Sequence, residues 1–184
     1  MKILTICPSK YPEKLSKMMD SFLVTRSKYT QIIVNYEEKS ITKIFNEVFE
    51  ANPNYDFYHL TNDDVIYNTP LWDLALANKG KISYGSDGIQ NENLPTFPMI
   101  DGDIVRALGW LQMPTLNRYC GDVVLNVIGK QCGILNYFPD IKIEHQWYES
   151  QVDKDIHIAD MAAFAKWLPF SFRDMEKVRK VLNG

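Results

Sequence analysis

Phe57-Tyr58-His59-Leu60-Thr61-Asn62-Asp63-Asp64 is an apolar run that breaks directly into a polar cluster ending in two adjacent carboxylates. A run this short reads as a buried strand, and its neighbours decide which kind of sheet it joins. Upstream, Ile3 to Cys7 is a second apolar run, ended by Pro8. After Pro12, Leu15, Met18, Met19, Phe22 and Leu23 recur at i, i+3, i+4, i+7 and i+8, which places them on one helical face. Gln31 to Tyr36 supplies Ile32-Ile33-Val34 for another strand, and Ile41, Ile44, Phe45, Val48 and Phe49 repeat the helical spacing behind an N-cap at Ser40. The strand at Phe57 is therefore the third in a βαβαβ order.

Downstream, Pro70 opens a short helix through Leu76, and Lys81 to Gly85 reads as a fourth strand. Strands alternating with helices predict an α/β fold, a single domain with a mostly parallel central sheet flanked by helices. Ligands of such sheets gather at the carboxyl ends of the strands, where Asp63 and Asp64 fall. Ser86 to Pro98, rich in Gly, Asn, Asp and Pro, reads as a substrate-facing loop. Ile104 to Leu108 and Val123 to Ile128 read as helices, and Ile134 to Ile143 as paired strands around Pro139-Asp140. Asp155 to Leu182 reads as two helices broken at Pro169, within a C-terminal helical extension over 150–184 that packs on the sheet or against a second subunit of a homodimer. No internal repeat interrupts the single domain over 1–184.

A chain of 184 residues with 46% hydrophobic residues can bury roughly 70% of its unfolded surface, so it needs no disulfide framework or structural metal. Twenty Lys and Arg against 23 Asp and Glu give a net charge of −3, which argues against a general polyanion binder. Cys7, Cys120 and Cys132 are odd in number and widely separated, as free thiols in a reducing cytoplasm would be. No apolar stretch approaches the length of a membrane span, so a cytoplasmic protein is expected.

Three features carry candidate chemistry. Asp63 and Asp64 repel each other unless a cation is near: they are either solvated turn carboxylates or oxygen ligands for Mg²⁺ or Mn²⁺. Asp122, in Tyr119-Cys120-Gly121-Asp122-Val123, is a helix cap or a reactive carboxylate. His145 ends the alternating Ile143-Glu144-His145 segment, as a structural imidazole or a ligand.

Taken in order, an acidic pair after the third strand, an Asp at a later helix start and a His after a late strand resemble the glycosyltransferases of the GT-A fold, particularly small members of family 2. Pro8-Ser9-Lys10-Tyr11-Pro12-Glu13-Lys14-Leu15 looks like the family's nucleotide loop with one residue fewer, and Asn46 and Pro70-Leu71-Trp72-Asp73 match further positions. The resemblance runs from Lys2 to about Glu149. It departs from the family in having Asn62-Asp63-Asp64 for a strict Asp-x-Asp, and Gly121 where an acid often precedes the catalytic Asp.

The resemblance implies a Rossmann-like domain that moves a sugar from a nucleotide diphosphate donor to an acceptor hydroxyl. It puts Mn²⁺ or Mg²⁺ on Asp64 and His145, Asp63 near the ribose or metal, and Asp122 as the base of an inverting transfer. Pro8, Ser9, Lys10, Tyr11 and Asn46 then serve the nucleotide, and Tyr11 and Tyr36, which follow strands at that edge, are placed to stack on its base. Two other readings stand beside it: a sugar-nucleotide pyrophosphorylase, disfavoured because Pro8 to Pro12 lacks Gly, and a non-catalytic nucleotide- or glycan-binding module. The acceptor is open among a saccharide, a lipid-linked glycan, a protein and a modified DNA base. Trp110, Trp147 and Phe97 are candidates to line its cleft, and Lys39, Lys43, Lys79, Lys81, Arg106 and Arg118 are candidates for a basic patch.

Overall fold

Ile3–Pro8 forms β1, and all six of its residues are buried, as a strand covered on both faces requires. In the computed structural model, which describes residues 1–36, 40–146 and 153–184, β1 is followed by α1 (Pro12–Thr25), β2 (Thr30–Asn35), α2 (Ile41–Ala51) and β3 (Phe57–Leu60). Next come β4 (Val65–Tyr67), α3 (Trp72–Leu76), β5 (Ile82–Ser86), β6 (Met99–Asp101), α4 (Gly102–Leu108), α5 (Gly121–Cys132), β7 (Leu135–His145), α6 (Lys154–Trp167) and α7 (Phe172–Leu182). Pro12 sits in the first turn of α1, and the Ser40 hydroxyl caps α2 by accepting from the Lys43 N–H.

The sheet order is β2-β1-β3-β6-β5-β7-β4. β1 pairs parallel with β2 and β3, and β5 pairs parallel with β7. β6 lies antiparallel between β3 and β5, and β4 lies antiparallel on β7. Five of these seven strands therefore run one way, in keeping with a mostly parallel sheet. The two reversed strands have three residues each, too few to show an alternation, and the sequence reading assigns no element to either.

β7 corrects another expectation. Residues 135–145 form one strand, not a hairpin around Pro139-Asp140. Its register jumps from Gly85 opposite Phe138 to Ser86 opposite Lys142, so the residues between bulge outward. Pro139 has no N–H to give a ladder, and a Cβ on Gly85 would lie 2.4 Å from the Ile141 carbonyl oxygen, so glycine is what lets the bulge close. Beyond the bulge, β7 turns to β4 and brings His145 opposite Val65.

The core has two halves because successive side chains of a strand point to opposite faces. Leu4 and Ile6 join Ile44, Phe45 and Val48 of α2, Ile104 and Val105 of α4, Val124 and Ile128 of α5, and Val178 of α7. Ile3 and Cys7 join Leu15, Met18 and Phe22 of α1 with Trp72 and Leu76 of α3. Asp73 is wholly buried in the second half, where its Oδ2 accepts from the Ser27 N–H (2.9 Å), the Ser27 hydroxyl (2.6 Å) and the Thr30 hydroxyl. It ties α3 to the start of β2.

His59 of β3 is also wholly buried. Its Nδ1 lies 3.3 Å from the Pro98 carbonyl oxygen and its Nε2 3.0 Å from Tyr67 Oη, which is 2.8 Å from Thr61 Oγ1. A carbonyl only accepts, so the neutral ring carries its proton on Nδ1. Burial pushes the imidazole pKa down to about 3. The unfolded chain takes up a proton near pH 6.5 that the folded one refuses, so the stability due to this group is complete above pH 6.5. It falls by about 1.4 kcal/mol per pH unit as pH drops from there toward the folded value. Urea titrations at neutral and mildly acidic pH should show this slope, and it should flatten in His59→Gln. An undiminished slope in that variant would assign the acid sensitivity to other groups.

Candidate active site

Because β1, β3, β5 and β7 run in the same direction, their carboxyl ends at Pro8, Leu60, Ser86 and His145 share one edge of the sheet. Asp63 organises the first of the loops there. Its Oδ2 accepts from the Ser9 hydroxyl (2.8 Å), the Lys10 N–H (3.1 Å) and the Tyr11 N–H (3.2 Å). The Ser9 N–H in turn donates to the Asn35 carbonyl oxygen at the end of β2 (2.9 Å). Held this way, Tyr11 and Tyr36 stand out from two adjacent strand ends, 57% and 62% exposed, as aromatic rings available for stacking. The expected Pro8–Tyr11 loop and Asp63 are thus physically one unit.

Asp64 turns the other way. The Gln146 N–H donates to its carbonyl oxygen (2.7 Å), and its Oδ2 lies 3.6 Å from His145 Nε2. Its Oδ1 is buried with no hydrogen-bond partner among the described residues. A buried carboxylate oxygen without a donor is costly, and a bound cation removes that cost. His145 is oriented by an edge-to-face contact with Phe97, centroids 5.2 Å apart. Among the described residues no group of three His, Cys, Asp or Glu side chains is arranged to hold a metal. Asp64 and His145 suit an ion such as Mg²⁺ or Mn²⁺ that takes its remaining oxygens from phosphates and water.

Lys14 and Lys17, one turn apart on α1, line the same cleft as Asp63, Asp64 and Gln146. They bring positive charge to where a diphosphate would meet the carboxylates. Only their i, i+3 spacing on the helix after the loop signals this in the sequence. A cavity of about 450 Å³ opens at the opposite edge, between Lys2, Lys28, Tyr29, Gln31 and Tyr55. It lies at the amino ends of β1 and β2, away from the carboxylates, and the chemistry is assigned to the carboxyl edge.

Asp87, which sequence reasoning missed, shapes the loop after β5. Its Oδ1 accepts from the N–H groups of Ile89 (2.9 Å), Gln90 (2.7 Å) and Asn91 (2.8 Å), and its Oδ2 from the Thr96 hydroxyl (2.9 Å). Burial alone would raise its pKa, but these four donors together hold it below the ordinary value. Its carbonyl oxygen accepts from the His145 N–H (2.9 Å), so the loop also fixes the late histidine.

Asp122 is the second residue of α5, and the cap position belongs to Cys120, whose backbone is left-handed (φ 65°). The Asp122 Oδ1 accepts from the N–H of its neighbour Val123 (2.8 Å), so the carboxylate is not the helix cap. Burial raises its pKa, the backbone N–H groups of Val123 and Asp122 oppose the rise, and the Asp87 charge adds to it. That last effect puts Asp122 within electrostatic reach of Asp87, whose carbonyl oxygen holds His145. A carboxylate with a raised pKa is a better proton acceptor than an ordinary one. At Gly121 a Cβ would come within 2.5 Å of the Gln112 amide, so a larger residue there would require that side chain to move.

The turn before Asp122 rests on Asp160 of α6, which is almost wholly buried. Its two oxygens accept from the N–H groups of Asn117 (2.8 Å), Arg118 (2.8 Å) and Tyr119 (2.7 Å). The C-terminal helices are therefore part of what positions the candidate base.

Asn46, expected on the nucleotide, is engaged elsewhere. Its Oδ1 accepts from Leu111 N–H (2.9 Å) and Gln112 N–H (3.1 Å), and its Nδ2 donates to the Gln112 carbonyl oxygen (2.8 Å). It braces α2 against the segment leading to α5. Trp110 and Phe97 are buried core residues, so neither forms an open acceptor wall. The expected basic patch is largely neutralised: Lys79 pairs with Asp101 and Asp103, Arg106 with Asp103 (2.6 Å), and Lys43 with Glu47 (3.7 Å). Trp147 and Lys39 lie outside the described residues. Among those residues no helix is long and apolar enough to cross a membrane.

No protein-family model matches the chain, and no curated protein matches its sequence. Solved structures do match its shape. A mannosyltransferase from Pyrobaculum calidifontis, PcManGT, in complex with GDP-Man and Mn²⁺, superposes with a TM-score of 0.65 at 7% identity, over 99% of this chain and 74% of its own. TarS of S. aureus gives 0.66 at 9% identity over 100% of this chain, which spans only 43% of TarS. A Drosophila galactosyltransferase 7 mutant with manganese, UDP-Gal and xylobiose gives 0.53 at 9% identity, over 85% of this chain and 79% of its own. The chain has the GT-A-like α/β fold of nucleotide-sugar glycosyltransferases, the architecture its motifs resemble.

Proposed function

We propose that this protein is a metal-dependent glycosyltransferase that moves a sugar from a nucleotide diphosphate donor to an acceptor hydroxyl. The observation that carries the reading is the buried Oδ1 of Asp64, without a partner among the described residues, with His145 beside its other oxygen, at the edge where the parallel strands end. The nucleotide lies along Pro8, Ser9, Lys10 and Tyr11, with Asp63 holding that loop and Tyr11 and Tyr36 beside the base. Lys14 and Lys17 face the diphosphate. Asn46 serves the scaffold.

Asp64 and His145 would hold Mn²⁺ or Mg²⁺, which would supply positive charge against the charge that develops on the departing diphosphate. Asp122 takes the proton of the acceptor hydroxyl as its oxygen attacks the anomeric carbon. The bond from that carbon to the diphosphate breaks on the opposite face, so the product has inverted configuration. Residues 117–119, fixed by Asp160, keep the carboxylate in place while this occurs.

The test is thermal denaturation with a series of nucleoside diphosphates, with and without Mn²⁺. Ligand at a hundred times its Kd adds about 2.7 kcal/mol, which for a domain of this size raises the melting temperature by roughly 5–10 °C. The rise is expected only when nucleotide and metal are both present. No rise with any nucleotide would overturn the reading. A metal-dependent rise with no sugar release from any donor would point to the non-catalytic binding module.

A further inference from the structure

Six of the fourteen exposed large apolar side chains among the described residues lie within positions 158–184: Ile158, Met161, Leu168, Phe170, Phe172 and Val181. Three of them meet at the turn between α6 and α7, where Leu168, Phe170 and Phe172 are 44%, 54% and 49% exposed. The turn is not loose. The Ser171 hydroxyl donates to the Leu168 carbonyl oxygen (2.7 Å), and the Trp167 indole N–H donates to Asp174 Oδ2 (3.0 Å) across it. Arg173 lies 5.2 Å from the Phe170 ring and 5.8 Å from the Phe172 ring, so the two phenyl groups and the guanidinium form one patch. Such uncovered aromatic surface on a well-braced turn calls for a partner.

The charge around it is segregated. The same residues, 158–184, hold five Lys and Arg against Asp160, Asp174 and Glu176, a local +2 in a chain whose net charge is −3. Asp174 is itself taken up by Trp167 and by Lys177 (2.8 Å). The three apolar side chains at the turn expose on the order of 300 Å². That is well short of the roughly 800 Å² per partner of a stable protein pair, so a second copy of the chain is a poor fit. A small apolar tip ringed by cations matches the boundary between acyl chains and anionic headgroups.

We propose that the α6–α7 turn docks on an anionic lipid surface, with Phe170 and Phe172 sunk among the headgroups and Lys166 and Arg173 on their phosphates. The proposal does not depend on the catalytic reading. It has a consequence for it, because Asp160, which holds the turn before Asp122, lies eight residues back from Leu168 along α6, about 12 Å of helix. A seated turn sets the candidate site at a defined height above the bilayer.

The experiment is flotation of the purified protein with vesicles of phosphatidylcholine alone or mixed with phosphatidylglycerol, at low and high salt. Binding is expected to the mixed vesicles at low salt, weaker by at least about tenfold on phosphatidylcholine alone and reduced by salt. Phe170→Ser combined with Phe172→Ser should lower it by at least about tenfold, and Arg173→Glu by a similar factor, with melting temperatures unchanged because all three side chains are exposed. No binding to the mixed vesicles, or equal binding by the double Phe variant, overturns the proposal. So does self-association in sedimentation that the double Phe variant abolishes, which would make a second copy the occupant. Capture of a single-stranded oligonucleotide without vesicle binding would mark the patch as a nucleic-acid contact instead.

Discussion

Asp122→Asn is expected to lower sugar transfer by roughly 10²- to 10⁴-fold while leaving nucleotide affinity and folding intact. The amide oxygen of Asn can still accept from the Val123 N–H, so the start of α5 keeps its local bond. A neutral amide is also easier to bury than the carboxylate, whose pKa burial and the Asp87 charge both raise. The variant should therefore melt at the same temperature as the parent or above it, as expected where a site carries strain for function. The pH profile provides a second reading. A general base works only when deprotonated, so kcat/KM should fall as pH drops through the Asp122 pKa, at a pH above the ordinary value of 3.8. That acid limb should vanish with Asn. Near-normal transfer by Asp122→Asn, with the correct donor and acceptor, would leave Asp122 structural and the base unidentified.

Asp64→Asn addresses the other half of the site. The substitution removes the charge at the carboxylate whose Oδ1 has no internal partner, and so removes the principal ligand for a cation. Calorimetry of nucleoside diphosphate binding in Mn²⁺ should show affinity lower by about a hundredfold, equivalent to about 2.8 kcal/mol. Without metal, variant and parent should bind alike, because the loop at Ser9 to Tyr11 is held by Asp63 and is untouched. The unliganded variant should be no less stable than the parent, since among the described residues Asp64 makes no hydrogen bond through Oδ1 that Asn would break. Equal nucleotide affinity of the parent with and without metal would remove the assignment. Asp63→Asn offers a contrast: it weakens an acceptor shared by three donors, so its effect should appear in loop order and nucleotide affinity whether or not metal is present.

The residues near one another in sequence carried most of the fold. The spacing of Leu15, Met18 and Phe22, of Ile44, Phe45 and Val48, and the Ser40 cap are local features, and the helices α1 and α2 lie where those features put them. The runs at Ile3, Gln31, Phe57 and Lys81 likewise became strands: those at Ile3 and Phe57 are buried throughout, and the one at Gln31 forms the half-buried edge of the sheet. The order of acidic pair, later Asp and late His was legible in the same way.

Only the tertiary structure decided what has no local signature. β4 and β6 exist because β7, β3 and β5 offer them partners, and three residues carry no period of their own. The bulge that makes β7 one strand depends on Gly85, distant in sequence, leaving room for a carbonyl. Asp64 meets His145 across 81 positions, and that meeting follows from β4 pairing with the end of β7. Asp63, Asp73, Asp87 and Asp160 look alike as letters, yet three of them are spent largely on backbone N–H groups and Asp73 mainly on Ser27 and Thr30. Whether a carboxylate braces a loop or waits for a ligand is set by which donors the folded chain brings to it once water has been removed, and composition and spacing do not encode those donors.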